Sequence, residues 1–183
     1  MSCTRLMSRL LEHEILNDRI WVDEAPVAPS ETFTLYGARE DTTKFVDYLA
    51  LKEKGSITET LNNFCFEAYE IKSGKSDLKS GCGLNFVGHK NYLVIPPTLY
   101  KELPRELLVD RNIGIYVILP TIPVLERNGK NEYNLFLQES IQPTPIKGRE
   151  DKWMLYLLRD SEPKKAILSN EELLFALVKG LLH

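Results

Sequence analysis

Apolar and polar positions alternate along this chain in a way that separates strands from helices. Thr43–Leu51, Cys65–Lys72, Asn91–Pro97 and Asn112–Pro120 are short apolar runs rich in β-branched and aromatic residues, and they predict strands. The last two are almost wholly apolar, as strands buried on both faces are. A helical pattern (Thr98–Leu108, interrupted at Pro104) lies between them, so a crossover should set them parallel. The polar stretch Lys52–Asn63, with Gly55, predicts a long hairpin loop joining Thr43–Leu51 to Cys65–Lys72 as antiparallel neighbours. Near the start, Met7, Leu10, Leu11 and Ile15 recur at three- and four-residue spacing and predict a helix over Thr4–Asn17.

The remaining elements are shorter. Ile20–Val22 reads as a brief strand, and Glu24–Glu31, with Pro26 and Pro29, as a loop. Phe33–Tyr36 reads as extended up to Gly37. Asp77–Phe86 begins like a helix capped by Asp77, but Gly81 and Gly83 spoil it. Gly81-Cys82-Gly83 lacks the third glycine and the strand–turn–helix setting of a dinucleotide fingerprint. Asn128-Gly129 marks a hairpin turn before a short strand at Tyr133–Leu137, and Ser140–Arg149 reads as a loop. Glu150–Asp160 has acids in its first turn and Arg159 in its last, which predicts a helix. A final helix, capped by Ser169 or Asn170, runs through Leu181, with Leu173, Leu174, Leu177, Val178 and Leu181 as one stripe.

Length adds that 183 residues suit one domain with a substantial core. A charged fraction of 27% and an apolar fraction of 43% are globular values. The net charge of −3 excludes a generally basic nucleic-acid binder, though not a local basic patch. No apolar run approaches the ~20 residues of a bilayer span. The N-terminus lacks the apolar segment of a secretory signal. Cys3, Cys65 and Cys82 are odd in number and without metal-type spacing, and Cys65 reads as a small buried hydrophobe. A soluble cytoplasmic protein is expected.

Chemistry enters through a few charges inside apolar runs. Strand parity sets Glu70 and Lys72 on one face, preceded there by Phe66 and Ala68. Alone, Glu-x-Lys is an ordinary strand-end ion pair. Asp47, sharing a face with Phe45 and Leu49, is an acid within the neighbouring strand, and either faces solvent at an edge or ligates a hard cation. Glu14 falls on the apolar stripe of the first helix and is either a rim residue or a further site acid. Ser73 and Ser76 have no base nearby in sequence, which argues against a serine nucleophile. His13, His89 and His183 show no ligand spacing.

An acid on one strand and Glu-x-Lys on its neighbour resemble the PD-(D/E)XK, or restriction-endonuclease-like, nuclease superfamily. The segments FTLYGAREDTTKFVDYLAL and YEIKSGKSDLKSGCGLNFVGHKNYLVIPPTLY look like small single-domain members from phages and bacterial genomes. The resemblance spans about Phe33–Leu119, and its specific parts are E-x-K-x4-D and the NYLVIPP strand. Val46 stands where the motif's name has proline. The implied fold is α/β, a restriction-endonuclease-like core with a mixed central β-sheet flanked by helices. One domain would cover 1–183, its core about 4–120 and its extension about 121–183 carrying an extra hairpin and helices.

By that resemblance Asp47, Glu70 and Lys72 are catalytic, with Glu14 as the helix acid. Mg²⁺ or Mn²⁺ would be held by Asp47, Glu70 and the Ile71 carbonyl, and Lys72 would steady the attacking water. Asp77 matches the aspartate after the signature. DNA, duplex or branched, would be the substrate. Phosphate contacts would come from Lys75, Lys79, Lys90 and His89, with Lys44 or Arg39 in addition. Cleaving both strands would favour a homodimer. The same fold hosts inactive members, so a non-catalytic module that binds nucleic acid or a protein partner, such as a phage-encoded inhibitor, is the rival expectation.

Overall fold

The computed structural model describes residues 2–27, 44–53, 64–80, 84–104, 112–121 and 152–182. Six strands, β1 (Ile20–Val27), β2 (Lys44–Glu53), β3 (Phe64–Ile71), β4 (Lys90–Ile95), β5 (Gly114–Pro120) and β6 (Trp153–Arg159), form one sheet in sequence order. The pairs β1–β2 and β2–β3 are antiparallel, β3, β4 and β5 are parallel, and β6 returns antiparallel to β5. The mixed sheet and the parallel β4–β5 pair are as the apolar runs predict. The short strand at residue 20 does not stop at Val22. It continues through Pro26, which pairs with Phe45. An edge strand tolerates proline because its outward N–H needs no ladder partner.

Helices cover both faces. The first segment is α1 (Cys3–Leu10), capped by Ser2, whose side chain accepts from Arg5 N–H. A wide π turn follows at Leu11–Ile15, closed by Leu16 N–H donating to the Leu11 carbonyl at 3.0 Å. The extra residue in that turn rotates what comes after it. Leu16 becomes buried, Ile15 only half-buried, and Glu14 leaves the predicted stripe. This layer packs Leu6, Met7, Leu10 and Leu11 on Tyr48, Tyr69, Ile71, Tyr92 and Val94.

The other face carries two clusters. Leu78 of α2 (Lys75–Ser80) and Leu99 of α3 (Pro97–Tyr100) pack with Phe86 on Leu93, Ile95, Ile115 and Val117. The final helix α4 (Asn170–Leu181) packs Leu173, Ala176 and Leu177 on Val22, Leu49, Phe66 and Ala68. Its cap is Ser169, in a capping box with Glu172. Val178 and Leu181 are exposed, so the core stripe of α4 is narrower than its leucines suggest.

Residues 153–159 are a strand, where a helix is expected from the charges. Trp153 and Leu155 pack on the α1 side, while Met154, Tyr156 and Leu158 pack on the other. A two-residue period hides inside a continuous apolar run, and the open edge of β5 selects it. Asp77 is likewise not the cap of α2, which starts two residues earlier at Lys75. At Gly88 the chain passes so close to β3 that a Cβ would meet the Lys90 and Phe66 carbonyl oxygens at 2.8 Å. The expected Asn128-Gly129 hairpin, the Tyr133–Leu137 strand and Arg39 lie outside the described residues, as does the side chain of Lys44.

Candidate active site

Alternation along β3 sorts its residues by face. Tyr69 and Ile71 join the α1 core, while Phe66 and Ala68 join the α4 core. Glu70 continues the Phe66–Ala68 side, under Asn85 of the stretch ahead of β4. It is wholly buried. The β2–β3 ladder ends at Tyr48↔Tyr69, and one further step in that register sets Asp47 opposite Glu70. Asp47 Oδ2 there accepts from Ile71 N–H at 2.7 Å, a side chain taking the place of a ladder carbonyl. Glu70 Oε1 accepts from Asn85 N–H at 3.0 Å, and Glu70 Oε2 has no hydrogen-bond partner among the described residues. The two carboxylates are close enough for the Asp47 charge to act on Glu70.

Lys72 is also buried, just past the end of β3, where its N–H donates to the Val94 carbonyl at 3.0 Å. Its ammonium lies 3.5 Å from Asp77 Oδ1, and Asp77 is half-exposed. Thr4 at the start of α1 donates to the Ser73 hydroxyl at 2.9 Å, so the α1 N-terminus borders this end of the sheet.

Electrostatics mark Glu70 apart. Burial first, and the neighbouring Asp47 charge second, push its carboxyl well above the ordinary range, and the Asn85 N–H and the Lys72 charge only partly oppose this. A carboxyl raised in the fold stabilises the native state while protonated, below its unfolded value, and that contribution is lost as pH rises through the folded value. Glu70→Gln, whose amide can still accept from Asn85 N–H, is therefore expected to raise stability at neutral pH by about 1–3 kcal/mol, the cost of an unmatched buried polar group. It should also flatten the decline of Tm above the ordinary carboxylate range. Thermal melts from pH 4 to 8 without divalent ions check both. A steeper decline in the variant would contradict this account.

Other sequence-predicted residues fall elsewhere. Glu14 Oε2 accepts from Leu155 N–H of β6 at 2.9 Å. β6 is three strands from β3 in the sheet order, roughly 14 Å at normal strand spacing. Glu14 thus ties the π turn to the sheet edge and does not join Asp47 and Glu70, because the π turn swings it aside. Lys90 pairs in register with Glu67, whereas Glu70 pairs with Leu93. That puts His89 and Lys90 at the far end of β3, roughly 10 Å from the acids. There Lys90 Nζ donates to Asp160 at 3.2 Å, and His89 Nδ1 accepts from Phe66 N–H at 3.1 Å. Lys75 and the exposed Lys79 lie on α2, beside Lys72, with Lys75 ion-paired to Glu102 at 2.8 Å.

Among the described residues no group of three or more His, Cys, Asp or Glu could hold a metal ion. A hard cation would have two carboxylates here, Asp47 and Glu70, with the Ile71 carbonyl between Glu70 and Lys72. Glu70 Oε2, buried without a partner, suits such an ion, which would supply the charge the oxygen lacks. No helix among the described residues is long and apolar enough to cross a membrane.

No family model matches the chain, and no curated protein does. Among solved structures it is similar to the SPO1766 protein of unknown function from Silicibacter pomeroyi. The match has a TM-score of 0.50 at 14% sequence identity and covers 100% of this chain and 86% of that one. The likeness concerns the fold alone.

Proposed function

We propose that the chain is a divalent-metal-dependent nuclease with a restriction-endonuclease-like core, acting on DNA phosphodiesters. The observation that carries the reading is Glu70, wholly buried beside Asp47, with one oxygen unpaired among the described residues and the buried Lys72 two residues on. Buried charges are normally paired, and an unmatched acid pair in a sheet is costly unless a cation completes it. Mg²⁺ or Mn²⁺ bound there would supply Lewis acidity and a water of lowered pKa.

The protein's own groups do the rest. Asn85 N–H and Ile71 N–H fix one oxygen each of Glu70 and Asp47. Lys72, held near Asp77, can turn its ammonium to the attacking water and to a non-bridging phosphate oxygen. Lys75 and Lys79 offer phosphate contacts from α2, and the exposed Lys75–Glu102 pair is weak enough to exchange for a phosphate. A homodimer would present two such sites to a duplex.

The test is cleavage of a panel of duplex, branched and single-stranded DNA and RNA with Mg²⁺, Mn²⁺ or EDTA, beside Glu70→Ala. Cleavage that needs the ion and disappears in Glu70→Ala supports the proposal. Cleavage retained in that variant overturns it. A second reading, a non-catalytic module of the same fold, draws on the lack of a third acid among the described residues near Asp47 and Glu70. It is favoured if the chain binds nucleic acid without Mn²⁺ binding at those carboxylates.

A further inference from the structure

The β2–β3 ladder ends one pair short of the acids, so regular sheet hydrogen bonding does not fix their separation. Among the described residues, two contacts beyond the ladder hold the strands there. One is Ile71 N–H to Asp47 Oδ2. The other runs through Asn85, in the segment between α2 and β4. Its backbone N–H donates to Glu70 Oε1 at 3.0 Å, and its side-chain Nδ2 donates to the Phe45 carbonyl at 2.8 Å. One residue thus touches the Glu70 carboxylate with its backbone and the start of β2, two residues before Asp47, with its amide.

We infer that Asn85 is a positioning residue that sets the gap between Asp47 and Glu70, and so the affinity of that pair for a divalent cation; the inference rests on the metal-dependent reading above. The side chain acts as a strut. Without it, the Glu70 contact survives on the backbone, but no other hydrogen bond from the described residues of this segment reaches β2. Among the described residues Glu70 Oε2 has no hydrogen-bond partner, and so no bond of its own there to restore the spacing. The amide is suited to the position because Phe45 presents a carbonyl, which needs a donor. An aspartate would set a carboxylate against that oxygen.

Mn²⁺ titration by calorimetry of the wild type, Glu70→Gln, Asn85→Ala and Asn85→Asp tests this, beside amide exchange at Ile71 in the metal-free protein. The wild type should bind and Glu70→Gln should not. Asn85→Ala should bind about ten-fold more weakly, the usual effect of losing a group that orients a ligand, and Asn85→Asp should bind no better than Asn85→Ala. Exchange at Ile71 should quicken in both Asn85 variants, because its acceptor, Asp47, is less firmly placed. If Asn85→Ala does not fold, Asn85→Ser, which keeps a donor on a shorter arm, carries the same comparison. Mn²⁺ affinity within two-fold of wild type in the Asn85 variant, with Glu70→Gln dead to the ion, overturns the strut alone. No Mn²⁺ binding in the wild type overturns the metal reading and the strut with it.

Discussion

Lys72→Met is expected to reduce ion-dependent cleavage by about 10²–10³-fold, the scale on which one preorganised donor to developing charge contributes. It should not weaken Mn²⁺ binding. Methionine keeps the length and apolar stem of a side chain that is already buried, so packing changes little. What disappears is the ammonium. Its charge acts to lower the Glu70 carboxyl, though less than burial and Asp47 raise it. Removing it leaves the acid pair more strongly in need of a cation, and Mn²⁺ affinity should hold or rise. The two measurements therefore separate, with cleavage falling and Mn²⁺ affinity not falling. Single-turnover cleavage and calorimetric Mn²⁺ titration on the same preparation check this. A Lys72→Met protein that cleaves at the wild-type rate would remove Lys72 from the chemistry.

Much of this arrangement is legible in the sequence. Parity alone puts Glu70 on the face shared by Phe66 and Ala68, because a two-residue period leaves no other choice once the strand is recognised. The antiparallel placement of β2 and β3 follows from two apolar runs joined by a polar stretch. Glu14 is less tractable. Its helical spacing from Met7 and Leu10 is genuine, but a π turn at Leu11–Ile15 breaks the spacing, and nothing in LEHEI announces an extra residue per turn. His89 and Lys90 precede the NYLVIPP strand in sequence and read as site-lining for that reason. A parallel neighbour enters the sheet at the opposite end from where β3 delivers Glu70, so topology removes them from the acids.

Asn85 escapes sequence reading altogether. It lies among glycines in a segment without periodicity, and its role depends on where that segment crosses β2 and β3. Polar residues that brace a site from an irregular stretch carry no spacing signal, whereas those on strands do. Trp153–Arg159 shows the complementary failure. The acids ahead of it and Arg159 at its end imitate a helix's charge pattern, and only the vacant edge of β5 makes the strand the better burial.

Arg19→Met is expected to destabilise the fold by about 3–5 kcal/mol, the cost of stripping the partner from a buried charge. β3 carries a second buried glutamate, Glu67, on the opposite face from Glu70. Arg19 Nη1 lies 3.1 Å from Glu67 Oε2 and donates to the Tyr69 hydroxyl at 2.7 Å, and that hydroxyl donates to Glu67 Oε2 at 2.8 Å. Tyr69 in turn stacks on Tyr92 with centroids 5.0 Å apart. Without the guanidinium, Glu67 keeps the tyrosine hydroxyl among the described residues. Adding Glu67→Gln to Arg19→Met should recover most of the loss, because the amide needs no cation, and a double-mutant cycle by urea denaturation measures the coupling. Folded Arg19→Met and the double variant should both bind Mn²⁺ like the wild type. Burial of an acid is therefore not in itself a sign of a metal site. Glu67 is ion-paired to a guanidinium at 3.1 Å, whereas Glu70 has no ion pair among the described residues, and an Arg19→Met protein of unchanged stability would erase that distinction.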